Sequence, residues 1–311
     1  MKYKILVTAP PILPKIENYK KIFDENNAQI FTPDFKVIES LSAEQLIRLL
    51  KDVDGILCGD DEINIDVLRS ANKLKVISKW GTGIDSIDTE SAKNLGIKVM
   101  RVKNIFSDPV SDTVLAYILI FCRKIFQKNQ IVKSNEWKKT ESFTLKEKTL
   151  GIIGLGHIGM SLAKKAIGLG MQVYGNDIVE KKYESQLLKI VNLDYLLKNS
   201  DFISLHTDLN KTTYHLIGKD QLSIMKKDSI IINTSRGAVI NQIELENALS
   251  ENKIGGAALD VFEEEPLPKN SKLKKFENVL LSPHNSNASV EVFNKVDIRS
   301  INNIFDSLEK T

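Results

Sequence analysis

The sequence predicts an α/β protein made of two doubly wound parallel-sheet domains, the second inserted in the first. Three observations predict it. Short β-branched runs alternate with longer helical patterns along most of the chain. The alternation pauses after Asp108 for one long helical stretch and then restarts. The chain has 311 residues, more than a single hydrophobic core comfortably holds.

In the first hundred residues the strand candidates are "KILVT", "AQIF", "GILC", "LKVIS" and "IKVM", separated by helical segments such as "SAEQLIRLL". Strand-helix-strand order of this kind requires a parallel sheet. The stretch from Asp108 to Lys133 has no glycine and no proline past its second residue, and it begins with acids and ends with bases. That is the charge order a helix dipole favours, so one long helix is expected, placed to join two domains. Strand candidates then resume with "TLGIIG", "MQVYG", "DFISLH", "SIIINTS", "IGGAALD" and "NVLLSPH", alternating with helices such as "QIELENALSENK". Val290 to Leu308 reads as an amphipathic helix with no strand after it.

The composition, 42% hydrophobic and 27% charged, is that of an ordinary globular protein. A net charge of +3 with interleaved signs gives no single-sign field of the kind that nucleic acid or a membrane surface attracts. A small molecule is the expected partner. Cys58 and Cys122 lie far apart, each at or within an apolar run, and neither has metal-ligand spacing. They are expected to be buried thiols of a reducing, cytoplasmic compartment. The apolar run in "MKYKILVTAP" is too short for a signal peptide, and no run approaches the roughly 20 apolar residues that span a bilayer.

"GIIGLGHIGMSLAKKAIGLGMQVYGND" holds Gly154, Gly156 and Gly159 as G-x-G-x-x-G between a strand and a helix. Asp177 closes the next strand, roughly 20 residues on. Gly154 permits the tight turn, Gly156 lets the backbone approach a pyrophosphate, and Gly159 lets helix and strand pack closely. Asp177 accepts both hydroxyls of a ribose and repels a 2′-phosphate, which favours NAD as cofactor.

Ligands of an open parallel sheet sit beyond the carboxyl ends of its strands, where His206, Thr207, Arg236, Asp260 and His284 are expected. Hydride transfer to a ketone carbon needs a group to orient substrate, a proton donor and something to tune that donor. Arg236 suits the first task as a planar fork, and His284 the second as an imidazole that titrates near neutrality. Taken singly, either could be a structural residue. His157 is placed in the glycine loop, His215 is read as structural, and no spacing suggests a metal site. The run "LDVFEEEPLP" reads in isolation as a wet loop.

Together these segments resemble the D-isomer-specific 2-hydroxyacid dehydrogenases, and more closely their phosphoglycerate dehydrogenase-like branch. "KWGTGIDSID", "SDPVSDTVLAYIL", "LHTDLNKTTYHLIG", "IINTSRGAVIN", "AALDVFEEEP" and "NVLLSPHNSN" occur around the glycine motif in that family's order. The resemblance implies a Rossmann NAD-binding domain, residues 104–284, inserted in a flavodoxin-like substrate domain, residues 1–103 and 285–311. It implies catalysis by Arg236, Glu265 and His284, and substrate binding by Thr82 and Gly83 together with Arg236 and His284. Around NAD it implies Gly154, Gly156, His157, Ile158, Gly159, Asp177, His206, Thr207, Thr213, Thr234, Ser235 and Asp260. Glu263 and Glu264 are then solvent-facing companions of Glu265. A small 2-keto or 2-hydroxy acid, a homodimer and closure about the long helix are further expectations. A non-catalytic NAD sensor or corepressor on the same fold is the rival reading. Phosphoglycerate-specific members carry an arginine-serine pair where this chain has "CGDDEI", and Asp60 and Asp61 are expected to repel a phosphate there. Lys79, Arg101 or Lys103 are the cations that could compensate. No regulatory domain is expected beyond the last helix.

Overall fold

Apolar β-branched runs become the strands of two parallel sheets in the structure, a computed structural model that describes residues 2–179 and 188–309. The chain divides into two compact units, Met1–Ile105 with Ser289–Thr311, and Phe106–Ala288.

In the first unit the strands are β1 (Tyr3–Val7), β2 (Ala28–Phe31), β3 (Gly55–Cys58), β4 (Val76–Lys79) and β5 (Lys98–Arg101). Among the described residues they form a five-stranded sheet in the order β2-β1-β3-β4-β5, parallel throughout. This is the flavodoxin-like doubly wound order. Every residue of β3 and β4 is buried, which is why both strands stand out as apolar runs. The helix Val290–Leu308 packs on β3, β4 and β5, burying Val296, Ile301, Ile304 and Phe305. Its Asp297, fully buried, accepts hydrogen bonds from Trp80 Nε1 at 2.7 Å and Tyr19 Oη at 2.6 Å and pairs with Lys15. A buried carboxylate with three donors ties the C-terminal helix to the sheet.

The two aspartates after β3 do not act as the sequence suggested. Asp61 is fully buried and accepts from Thr8 Oγ1 and from the N–H groups of Leu41 and Gly59. Asp60 pairs with Lys79 at 2.8 Å. One charge is spent inside the fold and the other is neutralised, so neither stands as an isolated repulsive charge.

In the second unit the strands are β6 (Thr149–Ile153), β7 (Gln172–Asn176), β8 (Leu188–Ile190), β9 (Phe202–Leu205), β10 (Ile230–Asn233), β11 (Gly256–Leu259) and β12 (Val279–Leu281). Among the described residues the order is β12-β11-β10-β9-β6-β7-β8, again parallel. β8 is absent from the sequence expectation, because this edge strand has three residues and exposes Lys189 and Ile190. The winding reverses between β6 and β9, so the crevice at their carboxyl ends is the place for a ligand.

The expected single helix from Asp108 to Lys133 is two helices, Ser107–Arg123 and Ile125–Lys133, broken at Lys124 with φ 50°. The cause lies elsewhere in the chain. The carbonyl of Cys122 accepts the N–H of Phe143 at 2.9 Å, and the carbonyl of Phe143 accepts Arg123 Nη1 at 3.2 Å. A distant segment thus takes the carbonyl at the helix end, and the chain turns through the left-handed conformation that terminates helices. Both helices belong to the second unit. The first lies against the helix His157–Gly168, where Lys165 pairs with Asp112 at 2.7 Å and Asp108 at 3.1 Å. Cys58 and Cys122 are both free and buried. Among the described residues no helix is long and apolar enough to cross a membrane.

Candidate active site

The site is assembled from the carboxyl ends of six neighbouring strands of the second unit. β6 stops at Ile153, and Gly154 turns the chain with φ +92°. A Cβ on Gly154 would lie 2.5 Å from the carbonyl oxygen of His206, and one on Gly159 would lie 2.1 Å from that of Gly154. Packing inside the protein therefore demands both glycines. Gly156 differs, since a Cβ there would meet nothing within 4 Å. Its lack of a side chain serves close approach from outside. Gly156 is also the N-cap of the helix His157–Gly168, with no side chain capping it, so the first N–H groups are directed at that approach. His157 is exposed at the helix start and Ile158 half-buried beside it.

Asp177 follows β7 directly. Its Oδ2 accepts the N–H of Leu155 at 2.7 Å and its Oδ1 that of Val179 at 2.9 Å, which fixes the carboxylate against the glycine loop. Beyond β9 and β10, Thr207 Oγ1 and Thr234 Oγ1 are buried without a hydrogen-bond partner. Each such hydroxyl costs about 1–3 kcal/mol if left unmet, and a polar group of a ligand at the strand ends would offset that cost. The two hydroxyls, the open Gly156 and the uncapped helix fit a dinucleotide with its pyrophosphate on the loop. When bound, NAD supplies the hydride.

Three other expected cofactor contacts also make hydrogen bonds within the protein. His206 Nε2 lies 2.9 Å from Ser204 Oγ, and burial pushes its pKa down to about 4, so the ring is neutral at pH 7. Thr213 donates its hydroxyl to the carbonyl of Asp208 at 2.7 Å and accepts the N–H of Asn210, closing a turn. Ser235 Oγ donates to Asn233 Oδ1 at 2.8 Å.

Arg236 lies three residues past β10. Asn233, almost fully buried, shapes its turn by donating to the carbonyl of Arg236 at 2.9 Å and accepting the N–H of Ser235 at 3.0 Å. A Cβ on Gly237 would fall 1.8 Å from the carbonyl carbon of Phe262. Only glycine lets the Arg236 turn press against the acidic loop after β11. In that loop Glu265 Oε1 accepts the N–H of Phe262 at 2.8 Å, and Oε2 lies 2.7 Å from His284 Nδ1.

His284 stands three residues past β12 with φ +49°, a conformation that costs about 1–3 kcal/mol and persists only where surroundings impose it. Asp260 imposes it. Its carbonyl accepts the N–H of His284 at 2.8 Å. Its fully buried carboxylate accepts from Ser282 Oγ, from the N–H of Asn285 at 2.9 Å and from that of Ser286 at 2.8 Å. Asp260, expected at the cofactor, also anchors the histidine loop. Asn233 was not singled out in the sequence, although a polar residue closing the apolar run "SIIIN" is the signal that marks it.

Glu263 is not an idle companion. Its Oε1 lies 2.8 Å from His215 Nε2 and accepts the N–H of Gln242 at 3.0 Å. Thr82 and Gly83 follow β4 in the first unit, where Thr82 Oγ1 donates to the carbonyl of Val102 at 2.9 Å and the carbonyl of Thr82 accepts Arg101 Nη1 at 3.2 Å.

Comparison with known proteins gives this arrangement its chemistry. Residues 115–286 match the family model described as the D-isomer specific 2-hydroxyacid dehydrogenase, NAD binding domain. A glyoxylate reductase of Thermococcus litoralis is 42% identical over 258 residues, covering 79% of this chain and 78% of the relative. A D-3-phosphoglycerate dehydrogenase of Methanocaldococcus jannaschii is 38% identical over 294 residues, covering 93% of this chain and 54% of that longer relative. The crystal structure of a D-lactate dehydrogenase from Aquifex aeolicus complexed with NAD and lactic acid superposes with a TM-score of 0.84 at 26% identity, covering 96% of this chain and 93% of that one. The chain belongs to the D-isomer specific 2-hydroxyacid dehydrogenase family, as an NAD-dependent oxidoreductase that moves hydride between the nicotinamide and a small 2-keto or 2-hydroxy acid.

Proposed function

We propose that the protein reduces a small, unphosphorylated 2-keto acid of about the size of glyoxylate, with Arg236, Glu265 and His284 carrying the reaction. The observation that carries this reading is the 2.7 Å contact between Glu265 Oε2 and His284 Nδ1, in a loop that Asp260 holds in a strained conformation. Arg236 bridges the substrate carboxylate and the ketone oxygen with its planar fork and polarises the carbonyl. As hydride arrives at C2, the electron pair of the C=O bond moves to oxygen, and His284 delivers the proton there. Since Glu265 occupies Nδ1, the proton leaves from Nε2. The carboxylate of Glu265, 2.7 Å from Nδ1, fixes the ring plane. Solvent restores the proton after the 2-hydroxy acid departs.

Two features favour a small acid without phosphate. The relative with 42% identity is a glyoxylate reductase, and the loop after β3 spends Asp61 internally and holds Asp60 on Lys79 where a phosphate grip would stand. We assign the cofactor to the second unit, and to Thr82 and Gly83 of the first unit a part in substrate binding through their backbone N–H groups. We further assign the protein to the cytoplasm as a homodimer with no nucleic acid or membrane partner. The two buried free cysteines support the first of these. Exposed Ile125, Phe126, Val132, Trp137 and Phe143, close together in the chain, offer apolar surface to a second copy.

The test is a panel of glyoxylate, hydroxypyruvate, pyruvate and 3-phosphohydroxypyruvate, followed by loss of NADH absorbance. The unphosphorylated acids are expected to turn over with the higher kcat/KM. Preference for the phosphorylated acid would overturn the substrate assignment. Tight NADH binding with no turnover of any acid would favour the sensor.

A further inference from the structure

The first unit carries a cationic cluster that the hydride-transfer site does not use. A groove of about 590 Å³ lies between the end of β5 and the helix Val290–Leu308. Arg101 and Lys103 line it from the strand side, Lys295 and Arg299 from the helix side. Lys295 and Arg299 are one helical turn apart and so share a face. Among the described residues, Lys103, Lys295 and Arg299 make no hydrogen bond or ion pair. Glu291, one turn before Lys295, is hydrogen-bonded to Ser289 and attracts Lys295 only weakly and without a contact, the smallest of the influences on its carboxyl. Four like charges around one groove repel each other unless a counter-charge joins them.

An independent observation points the same way. Asn303 lines this groove, is 2% exposed, and its Nδ2 is buried without a hydrogen-bond partner. A buried amide donor left unmet costs about 1–3 kcal/mol, which an acceptor oxygen removes. Acceptor oxygens and negative charge occur together in one ligand class.

From these residues we infer that the groove is a binding site for a small organic anion carrying at least two negative charges, a phosphate ester or a polycarboxylate. Its volume lies within the usual range of small-ligand sites. The guanidinium of Arg299 meets either anion bidentately, the lysines neutralise the remaining charge, and a rotation of the Asn303 amide toward the groove would give its Nδ2 an acceptor oxygen. Arg101 also donates to the carbonyl of Thr82, so it is left intact in the test.

Calorimetric titration of the NADH-saturated protein with inorganic pyrophosphate and, separately, with citrate tests the site, and the tighter of the two tells phosphate from carboxylate chemistry. The exposed double variant Lys295→Ala/Arg299→Ala is expected to weaken binding of that anion at least ~10-fold, the equivalent of one charge-assisted hydrogen bond. A control removing two charges elsewhere, Lys138→Ala/Lys139→Ala, is expected to bind as the parent does. Arg236→Ala is expected to do the same, which separates this site from the proposed substrate site whatever becomes of that proposal. Asn303→Leu is expected to weaken anion binding while raising the melting temperature without anion, because the unmet donor is gone. Uptake of neither anion by the parent, or an unchanged affinity in the double variant, would overturn the inference.

Discussion

Glu263 and Glu265 stand two residues apart, and each carboxylate meets a histidine. The contacts measure 2.8 Å for Glu263 with His215 and 2.7 Å for Glu265 with His284. The histidine side chains are 27% and 23% exposed, and their φ angles are 51° and 49°. Distance, burial and backbone conformation therefore do not tell the pairs apart. Their surroundings do. His215 has Glu263 on Nε2 and the amide of Asn241 3.2 Å from Nδ1, and it stacks on Tyr214 at 4.0 Å, all within one loop and the helix start beside it. With Gln242 on the same carboxylate, that pair braces a loop to the start of the helix Gln242–Ser250. His284 instead stands past a strand end, in the row that holds Arg236 and the unpartnered hydroxyls of Thr207 and Thr234. The first pair braces a loop, and the proposal that the second donates a proton rests on where the sheet delivers it.

The comparison can be broken first at the acids. Glu265→Gln is expected to lower kcat by about 10²-fold, since it removes the carboxylate proposed to orient the His284 ring. Glu263→Gln should leave kcat within a factor of about 3 and lower stability by about 0.2–1 kcal/mol, the range of a partly exposed ion pair. Steady-state kinetics and urea unfolding of both variants check this, and equal losses of kcat would erase the distinction. Next in size is the cofactor end. Asp177→Ala should reduce the preference for NADH over NADPH by about 10-fold or more, read as the ratio of kcat/KM values, because the charge that opposes a 2′-phosphate is gone.

A third histidine sharpens the contrast by having no carboxylate. Burial holds the pKa of His206 at about 4, against an ordinary 6.5. As pH falls from 6.5 toward 4 the unfolded chain binds this proton and the folded chain does not, so stability falls through that window. The full loss is on the order of 3 kcal/mol. His206→Gln is expected to flatten that part of the stability profile, as measured by urea unfolding at stepped pH. An unchanged slope would show that His206 titrates alike in both states.

The parallel strands were legible because burial on both faces leaves continuous apolar runs, as in "GILC" and "SIIIN". Those runs also set Arg236, Asp260 and His284 just past neighbouring strand ends, and the glycine spacing marked the loop beside them. What stayed hidden depends on partners far away in the chain. The break at Lys124 is made by Phe143, the second histidine pair by Gln242 and Asn241, and the burial of Asp61 by Thr8 and Leu41. β8 was missed for a different reason, since three residues at a sheet edge need little apolar character. The anchoring of the His284 loop by Asp260 was not legible because its donors, Ser282, Asn285 and Ser286, lie on the next strand's loop.

The most direct test sets the two histidines side by side. His284→Gln and His215→Gln would be assayed for keto-acid turnover at saturating NADH, with NADH affinity measured by fluorescence titration. The account predicts that His284→Gln loses about 10³-fold or more in kcat with NADH affinity retained, while His215→Gln stays within about 3-fold of the parent. Near-parental turnover in His284→Gln, or equal losses in both variants, would contradict it.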